Sequence, residues 1–471
     1  MPAPTIYWAR RDLRLSDNPA LVAATESGGP VIPVFLCDEV VETHGAAPKW
    51  RLGLGVEAFG DALSTAGSRL ILRRGNALEA LRALIAETGA TAVHWNRLYD
   101  PDARKRDEAV KAALKEDGID AVSHRGHMLF EPWTVETGGG SFYKVYTPFW
   151  KTVRDRDPGE ALSPPRLTTP DTWPASDALA DWNLGAAMNR GAEIVTPHLN
   201  VGEAAAQARL EAFIDRDVGA YDTARDDIPA NATSLLSENL TYGEISPRQC
   251  WWAGQRAMAD GKPGAETFLK EVVWRDFAYH LVHHTPHITS GNWRPEWDAF
   301  PWNADPNSKE ATAWRQGRTG MAIVDAAMRE MYVTGRMHNR ARLLVASYQT
   351  KNLKCHWKIG LDWFEDCLVD WDPASNAMGW QWSAGSGPDA TPYFRVFNPE
   401  TQADKFDKGG RYRNRWLAEI QRNPPGTALS YFDAIPRSWG MAPTDHYPLA
   451  PIVSAAEGRK RALEVYGNRE F

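Results

Sequence analysis

The sequence predicts an α/β domain with a doubly wound, parallel, five-stranded sheet, followed by a larger all-helical domain. Three observations predict this fold. Short β-rich runs alternate with helical stretches through residues 1–130, prolines break every periodic pattern in residues 131–200, and apolar residues recur at helical spacing in residues 201–471. We therefore predict an α/β domain (1–130), a long connector (131–200) and a helical domain (201–471).

Five candidate strands, each four to seven residues long, alternate with helical segments such as Pro101–Glu116. Parallel strands need such crossovers, because the chain must return to the same edge of the sheet before each new strand. Neither Gly-x-Gly-x-x-Gly nor a P-loop follows a strand, so we expect a ligand at the carboxyl ends of the strands without these loops. The candidate strands are Thr5–Trp8, Val31–Cys37, Leu70–Arg73, Ala92–Trp95 and Ala121–His124.

Proline content and apolar spacing predict the rest of the chain. Residues 131–200 include eight prolines and the run Gly138–Gly140, which predict an irregular segment that wraps the surface. From Gly202 onward apolar residues follow a helical period. The candidate helices there are Glu203–Arg216, Glu266–His284, Gly320–Val333, Asn339–Leu353 and Leu361–Leu368.

Composition and charge narrow the class of protein. With 471 residues, 43% of them hydrophobic, the chain can bury a sizeable core. Its net charge of −7 argues against general binding of polyanions, but residues 331–361 contain six basic and no acidic residues. Such a local basic face is compatible with nucleic acid, whereas charge alone favours an ordinary solvated helix surface.

The sequence lacks a membrane helix, a secretory signal and paired cysteines, and these features predict where in the cell the protein works. No apolar run reaches the roughly 18–20 residues of a membrane helix, and the amino end shows no secretory signal. The four cysteines form neither a CxxC pair nor a zinc spacing, which predicts buried thiols in a reducing compartment and no metal site. We expect a cytoplasmic protein with no membrane partner.

Residues 370–382 form the most unusual stretch of the sequence. They hold three tryptophans and two aspartates, Asp370 and Asp372, in a context that we interpret as a loop. Twelve of the 21 tryptophans lie between Trp251 and Trp382, and a fold rarely needs so many for packing. Indole also stacks on flat ligands and can lose one electron, so the stretch indicates a functional site.

Three more groups could carry chemistry, and each has a plain structural alternative. Glu271 and Trp274 share a helix face that would offer a ligand a carboxylate and a flat ring, or they are ordinary residues of an amphipathic helix. Asn339 and Leu343 share a face that suits a nucleobase edge, or belong to a basic helix surface. The hydroxyls of Thr233–Ser237 precede a helix and would hold a diphosphate or cap that helix.

Taken in order, seven motifs resemble those of the photolyase/cryptochrome family, and most closely the class I cyclobutane-pyrimidine-dimer DNA photolyases. The resemblance covers nearly the full length, and seven motifs in order are far more specific than any one of them. These motifs are residues 8–18, Thr233–Ser237, residues 243–248, Glu271–Arg275, Met337–Arg342, residues 379–382 and Tyr393–Pro399.

The resemblance implies FAD held in a U shape inside the helical domain. Arg342 would pair with Asp370 across the isoalloxazine ring, with Asp372 close by. Asn376 would face flavin N5 and tune its protonation. Phe268 would stand near the flavin, where some relatives carry tryptophan. The other residues implied to bind the cofactor are Tyr221, Thr233, Ser234, Leu235, Leu236, Ser237 and Arg275.

The resemblance also implies a pocket for a pyrimidine dimer flipped out of UV-damaged DNA. Glu271 and Asn339 would bind the base edges, Trp274 and Trp382 would form an aromatic wall, and Leu343 would replace the methionine common in class I enzymes. Flipping is cheap at a lesion, because pairing and stacking are already weakened there. The residues implied to contact the DNA backbone are Arg225, Arg340 and Gln402.

The reaction that the resemblance implies is light-driven repair. Excited, fully reduced FADH⁻ donates an electron to the dimer, the cyclobutane bonds split and the electron returns, so neither a nucleophile nor a metal is needed. Trp380, Trp357 and Trp302 would carry electrons from the surface to oxidised flavin, with Trp380 nearest to it. We expect a bacterial-type monomer that joins the nucleoid when DNA is damaged.

Some predictions stay open. The first domain is expected to bind a second, antenna chromophore. Cys37–Glu39 resembles relatives that use a deazaflavin or a flavin, and Asp102–Ala103 replaces the Asn-Glu pair typical of methenyltetrahydrofolate binders. Trp371 stands where a small residue is usual, and nothing in the sequence explains it. A cryptochrome-like blue-light photoreceptor and a nonphotochemical flavoprotein are the alternative functions, against which the complete dimer pocket and tryptophan chain argue.

Overall fold

The computed structural model describes residues 2–188, 191–230, 232–389 and 394–469, so Tyr393 of the last motif lies outside the described residues. The strands are β1 (Thr5–Ala9), β2 (Val31–Cys37), β3 (Ile71–Arg74), β4 (Ala92–Asn96) and β5 (Asp120–His124). They pair in parallel in the order β3-β2-β1-β4-β5. The predicted doubly wound sheet is confirmed, and each predicted strand end lies within one residue of the observed end.

The helices that connect these strands are α1 (Pro19–Thr25), α2 (Glu39–Glu42), α3 (Ala46–Thr65), α4 (Ala77–Thr88) and α5 (Pro101–Glu116). Local sequence explains where several begin, since Asn18, Asn76 and Asp100 each accept a hydrogen bond from the first turn of the next helix. All residues of β1 and β2 are buried, because helices cover both faces of a parallel sheet.

The connector matches the surface wrapping that its prolines predict only in part, because residues 154–178 are irregular and mostly exposed, whereas the stretch before them is a buried helix. It includes the helices α6 (Tyr146–Val153) and α7 (Gly191–Val195). Tyr146, Phe149 and Trp150 of α6 are buried in one apolar core with residues of the helical domain. The prediction is wrong for this stretch, because apolar residues at helical spacing bury a helix even between proline-rich segments.

The helical domain follows the predicted pattern closely. The predicted helix 203–216 has the observed ends, and the predicted helix 339–353 ends at Ser347 and continues as one wide turn, Tyr348–Asn352. The helices are α8 (Glu203–Arg216), α9 (Tyr221–Ala224), α10 (Ser237–Tyr242), α11 (Pro247–Ala259), α12 (Ala265–His284), α13 (Lys309–Arg315), α14 (Ala322–Thr334), α15 (Asn339–Ser347), α16 (Trp357–Cys367), α17 (Pro373–Ala384), α18 (Pro399–Phe406), α19 (Arg411–Trp416), α20 (Gly426–Ala434) and α21 (Ala455–Gly467).

Residues 373–382 of the stretch 370–382 lie in the helix α17, so the loop interpretation is wrong for them. Asp372 caps α17 by accepting from the backbone N–H of Ser375, and Pro373 occupies the first turn. Trp380 is 2% exposed and Trp382 is half-buried. Because apolar residues occupy several faces of α17, its sequence lacks the single apolar stripe that predicts an amphipathic helix. In the described part of the chain no helix is long and apolar enough to cross a membrane.

Candidate functional site

A buried carboxylate and an arginine form the centre of the predicted cofactor site. One guanidinium nitrogen of Arg342, on α15, lies 2.9 and 2.7 Å from the two carboxylate oxygens of Asp370. The hydroxyl of Ser237, at the start of α10, donates to the same carboxylate at 2.7 Å. The side chain of Asp370 is 5% exposed and that of Arg342 is 27% exposed. The pair thus presents an accessible cation fixed by a buried anion.

Asp372 is held by protein groups on both carboxylate oxygens. One oxygen accepts from the N–H of Ser375, and the other accepts from Arg11 at 3.1 Å and from the Tyr279 hydroxyl. Burial raises the pKa of Asp372, but Arg11 and Arg275 outweigh burial and hold the pKa below its ordinary value. The carboxylate therefore ties α17 to the segment that follows β1.

The hydroxyl segment Thr233–Ser237 does not cap the helix that follows it. α10 begins at Ser237, and none of the described side chains caps its amino end. Leu235 adopts a φ of +53°, which is uncommon for a residue with a branched side chain. Arg209 donates to the Leu235 carbonyl at 2.7 Å. The capping alternative is therefore wrong, and another use of these hydroxyls is favoured.

Two aromatic residues predicted to touch the cofactor pack on one ring. The Phe213 ring lies 5.2 Å from the Tyr221 ring and 5.1 Å from the Phe268 ring, between centroids. Tyr221 is 8% exposed and Phe268 is 3% exposed. Burial, helped by the charge of Glu271, raises the pKa of Tyr221 to about 12. Its hydroxyl therefore stays neutral and able to donate a hydrogen bond at ordinary pH.

Glu271 and Trp274 lie one turn apart on α12, as predicted, and both have specific partners. Glu271 forms an ion pair with Arg225, which was predicted to contact a DNA phosphate. Trp274 stacks on Tyr146 of α6, with ring centroids 3.8 Å apart and planes inclined by 11°. Both residues are half-buried, so a carboxylate and an indole remain accessible to a ligand.

Trp382 is joined to Trp274 through Asp389. The Trp382 indole N–H donates to the Asp389 carbonyl at 3.1 Å, and the Asp389 carboxylate faces the backbone N–H of Tyr146. Burial raises the pKa of Asp389, and the facing N–H opposes the rise. We call Trp274, Tyr146, Asp389 and Trp382 the aromatic rim. Tyr146 and Asp389 were not predicted, because neither lies in a stretch with a recognisable motif.

The residues of α15 and α18 that were predicted to meet DNA keep some exposure. Asn339 is the exposed first residue of α15, and Leu343 is half-buried one turn later. Arg340 forms an ion pair with Asp226 at 2.7 Å, and its side chain is 23% exposed. Gln402 is half-buried on α18. Both predicted phosphate-binding arginines, Arg225 and Arg340, are therefore paired with carboxylates.

The three tryptophans predicted to carry electrons differ in exposure. Trp380 and Trp357 are 2% and 0% exposed, whereas Trp302 is half-buried. The His356 ring lies 5.6 Å from Trp357 and 5.2 Å from Trp302, between centroids. A Cβ on Gly360 would come within 2.0 Å of the Trp380 ring, so only glycine fits there. Two of the three rings are therefore buried in the core, and the ring predicted as the exit is the one that keeps some exposure.

A solvent-open cavity of about 230 Å³ lies between the sheet and helices α16 and α17. Arg11 follows β1 and Asp100 follows β4, so the cavity occupies the point where the strand order reverses. Trp371 lines it, with its ring 5.3 Å from that of His44. Trp371 Nε1 and His44 Nδ1 are buried without a partner among the described residues. The structure thus places Trp371 in a predicted ligand site.

Asn376 and Arg275, both predicted to bind the cofactor, contact other parts of the protein. The Asn376 side chain donates to a backbone carbonyl of α16 at 3.1 Å, and the residue lines the cavity described above. The Arg275 guanidinium donates to the His127 carbonyl and contacts the His127 ring, in the loop after β5. Asn376 therefore stands between the cavity and the helical core, and Arg275 fastens the two domains.

Comparison with known families assigns both halves of the chain. The family described as DNA photolyase matches residues 5–169, and the FAD binding domain of DNA photolyase matches residues 268–468. A deoxyribodipyrimidine photo-lyase of Agrobacterium fabrum is 44% identical, over 98% of this chain and 98% of its own length. Cryptochrome-2 of Arabidopsis thaliana is 34% identical, over 90% of this chain and 72% of its own length.

Solved structures share the architecture. A bacterial class III photolyase from Agrobacterium tumefaciens matches with a TM-score of 0.90 and 42% identity, over 99% of this chain and 98% of that one. An archaeal photolyase from Sulfolobus tokodaii, solved with two FAD molecules, matches with a TM-score of 0.81 and 28% identity, over 99% and 100% of the two chains. These matches confirm the predicted fold, while the predicted class I assignment is not confirmed.

Proposed function

We propose, from the premise that this chain belongs to the photolyase/cryptochrome family, that it uses light and FAD to repair cyclobutane pyrimidine dimers in DNA. The observation that carries the proposal is the aromatic rim beside Glu271. Trp274 and Trp382 are both half-buried, and Tyr146 and Asp389 hold them in place. Two indole faces and a carboxylate suit a pair of linked pyrimidines, which offer apolar faces and N–H donors.

The residues of the predicted cofactor site fit FAD. The Arg342–Asp370 pair offers a donor and an acceptor to a ring that carries carbonyl and N–H groups. The hydroxyls of Thr233 and Ser234 cap no helix and can therefore donate to a diphosphate. The buried N–H of Trp380 has no partner among the described residues, which suits a polar neighbour at that position. When bound and fully reduced, FAD supplies an electron donor that light excites.

The protein's own residues would hold the dimer and the DNA. Trp274 and Trp382 would stack on the flipped bases, at about 1–3 kcal/mol for each stacked base. Glu271 would exchange its ion pair with Arg225 for a base edge. That exchange would release Arg225 for a phosphate, so one internal contact would become two contacts with DNA. Asn339 would add a donor and an acceptor to the base edges.

Other residues would add affinity for DNA and deliver electrons to FAD. Arg340 and Gln402 would meet the DNA backbone, where neutralised phosphates make affinity depend on salt. Leu343 would give the dimer an apolar contact. Trp302, the most exposed of the three electron-transfer tryptophans, would pass electrons inward through Trp357 to Trp380.

The cavity at the strand ends is our proposed site for the second chromophore. Arg106 lines it and pairs with Asp38 of the Cys37–Glu39 motif at 2.7 Å. Trp371 offers a flat ring, and Arg11 offers a cation. These groups suit a flat heterocycle with an anionic chain, as in a deazaflavin or a flavin. The absorption spectrum of the chromophore released by heat would distinguish these from methenyltetrahydrofolate.

One assay tests the proposed repair. Protein carrying chemically reduced FAD is mixed with UV-irradiated oligo-dT, and the thymine absorbance is followed under blue light and in the dark. We expect the absorbance to recover in the light only. Absence of recovery with any reductant would rule out dimer repair and favour the cryptochrome-like photoreceptor, which the likeness to cryptochrome-2 makes the second candidate. The class I assignment, the monomeric state and the cytoplasmic location stay predictions.

A further inference from the structure

We infer that a buried cluster between the two domains positions the segment Thr233–Ser237 and gives it the positive charge that the FAD diphosphate requires. This arginine cluster consists of three arginines and two glutamates. Its members on α8 and α10, and the glutamate that follows α10, lie in residues 170–267, which neither family model covers. The inference rests on the proposed binding of FAD. The members are Arg51, Arg209, Arg336, Glu238 and Glu244.

Arg51, on α3 of the sheet domain, is the centre of the arginine cluster. Its Nε lies 2.7 Å from Glu238, and its terminal nitrogens lie 2.9 and 2.7 Å from the two oxygens of Glu244. All three side chains are 0% exposed. Glu238 also pairs with Arg336 and lies 3.4 Å from Arg209. One carboxylate on α10 thus gathers cations from three separate parts of the chain.

The arginine cluster carries more positive than negative charge. Three arginines face two glutamates, which leaves one uncompensated cation in a buried place. Burial raises the pKa of Glu238, but Arg336 and Arg51 bring it below the ordinary value, so this carboxylate stays charged. Burial and the neighbouring Arg336 lower the pKa of Arg209. A buried excess cation is costly unless an anion lies close to it, and a diphosphate is such an anion.

Arg209 connects this charge to the hydroxyl segment. Its NH1 donates to the Leu235 carbonyl at 2.7 Å and to the Asn239 side-chain oxygen at 2.9 Å. Leu235 holds a φ of +53°, a conformation that persists only where neighbouring groups enforce it. Arg209 supplies that restraint from α8. The hydroxyls of Thr233 and Ser234, next to Leu235, are therefore held in one arrangement before any ligand arrives.

The same contacts make the sheet domain a determinant of FAD retention. Arg51 belongs to α3, and its partner Glu238 immediately follows Ser237, which binds Asp370. Movement of α3 would therefore displace both the diphosphate segment and the carboxylate at the centre of the cofactor site. We assign Arg51 and Arg209 as positioning residues, since they act through Glu238 and Leu235.

The test measures FAD affinity of the full chain after the flavin has been removed and added back. Arg209→Met removes the charge and both hydrogen bonds, and we expect FAD to bind roughly tenfold to a hundredfold more weakly. Arg209→Lys keeps the charge, so we expect it to recover part of the lost affinity. Lower affinity for FAD with unchanged affinity for riboflavin, which has no phosphate, would locate the effect at the diphosphate.

Arg329→Met is the matched control. Arg329 pairs with Glu419 at 2.6 and 2.9 Å, and the two side chains are 0% and 1% exposed, far along the chain from the hydroxyl segment. We expect it to lower the melting temperature as Arg209→Met does and to leave FAD affinity within twofold. The inference is overturned if Arg209→Met and Arg209→Lys bind FAD like the parent, or if Arg329→Met loses FAD equally. Failure of the parent chain to bind FAD would instead contradict the proposed function.

Discussion

The aromatic rim and the buried tryptophan chain use the same side chain in opposite ways. In the rim, Trp274 and Trp382 are half-buried, and each is held by one specific partner. In the chain, Trp380 and Trp357 are at most 2% exposed. A ring with an open face can stack on a ligand, whereas a fully buried ring has no face left for one. Exposure therefore separates Trp380 and Trp357 from the rim, while Trp302, the proposed exit of the chain, is half-buried like the rim residues.

The largest expected effect is that of Trp357→Phe on the buried chain. Phenylalanine is far harder to oxidise than tryptophan, so light-driven reduction of oxidised FAD should fall to the dark rate, followed by flavin absorbance under blue light. Repair by chemically reduced protein should stay near the parent rate. Trp251→Phe, a buried tryptophan of α11 outside the chain, is the control and should leave both reactions unchanged. Loss of both activities in Trp357→Phe would contradict the separation of roles.

A smaller effect is expected from Trp274→Ala in the aromatic rim. The loss of one stacking face should weaken binding of dimer-containing DNA by about 1–3 kcal/mol, measured as the Kd for a labelled oligonucleotide. Trp274→Phe keeps a flat ring and should lose less. Photoreduction of FAD should be unaffected in both variants, because Trp274 stacks on Tyr146 rather than on the buried chain. If Trp274→Ala slowed photoreduction and left DNA affinity unchanged, Trp274 would belong to the electron-transfer chain instead of the aromatic rim.

The smallest effect is expected from Arg340→Ala, which removes a proposed phosphate contact and leaves the rim intact. Affinity for damaged and undamaged DNA should fall by the same factor, and the slope of log K against log salt should fall by about 0.7–0.9. Arg82→Ala removes an equally ordinary surface pair, with Asp117 on the sheet domain, and serves as the control. A selective loss for damaged DNA would place Arg340 in the dimer pocket instead.

The sheet domain was more predictable than the helical site. Strands such as Val31–Cys37 are apolar throughout, and turn residues bound them, so local sequence is enough to place them. The sequence does not predict the helix Pro373–Ala384, because its tryptophans and small residues show no single apolar face. The capping interpretation of Thr233–Ser237 failed for a related reason. A helix start does attract hydroxyls, but here Leu235 turns the backbone and Arg209 fixes it from another helix.

The order of the motifs indicated the family, and the resemblance then implied the FAD-binding half and the pairing of Arg342 with Asp370. Contacts between distant segments were decided only by the folded chain. Three contacts join residues that lie dozens to hundreds of positions apart. They are the ion pair of Glu271 with Arg225, the position of Trp371 in the cavity at the strand ends, and the arginine cluster around Arg51. Local periodicity predicts which face of a helix or strand a residue occupies, whereas the packing of the whole chain determines which residue it contacts there.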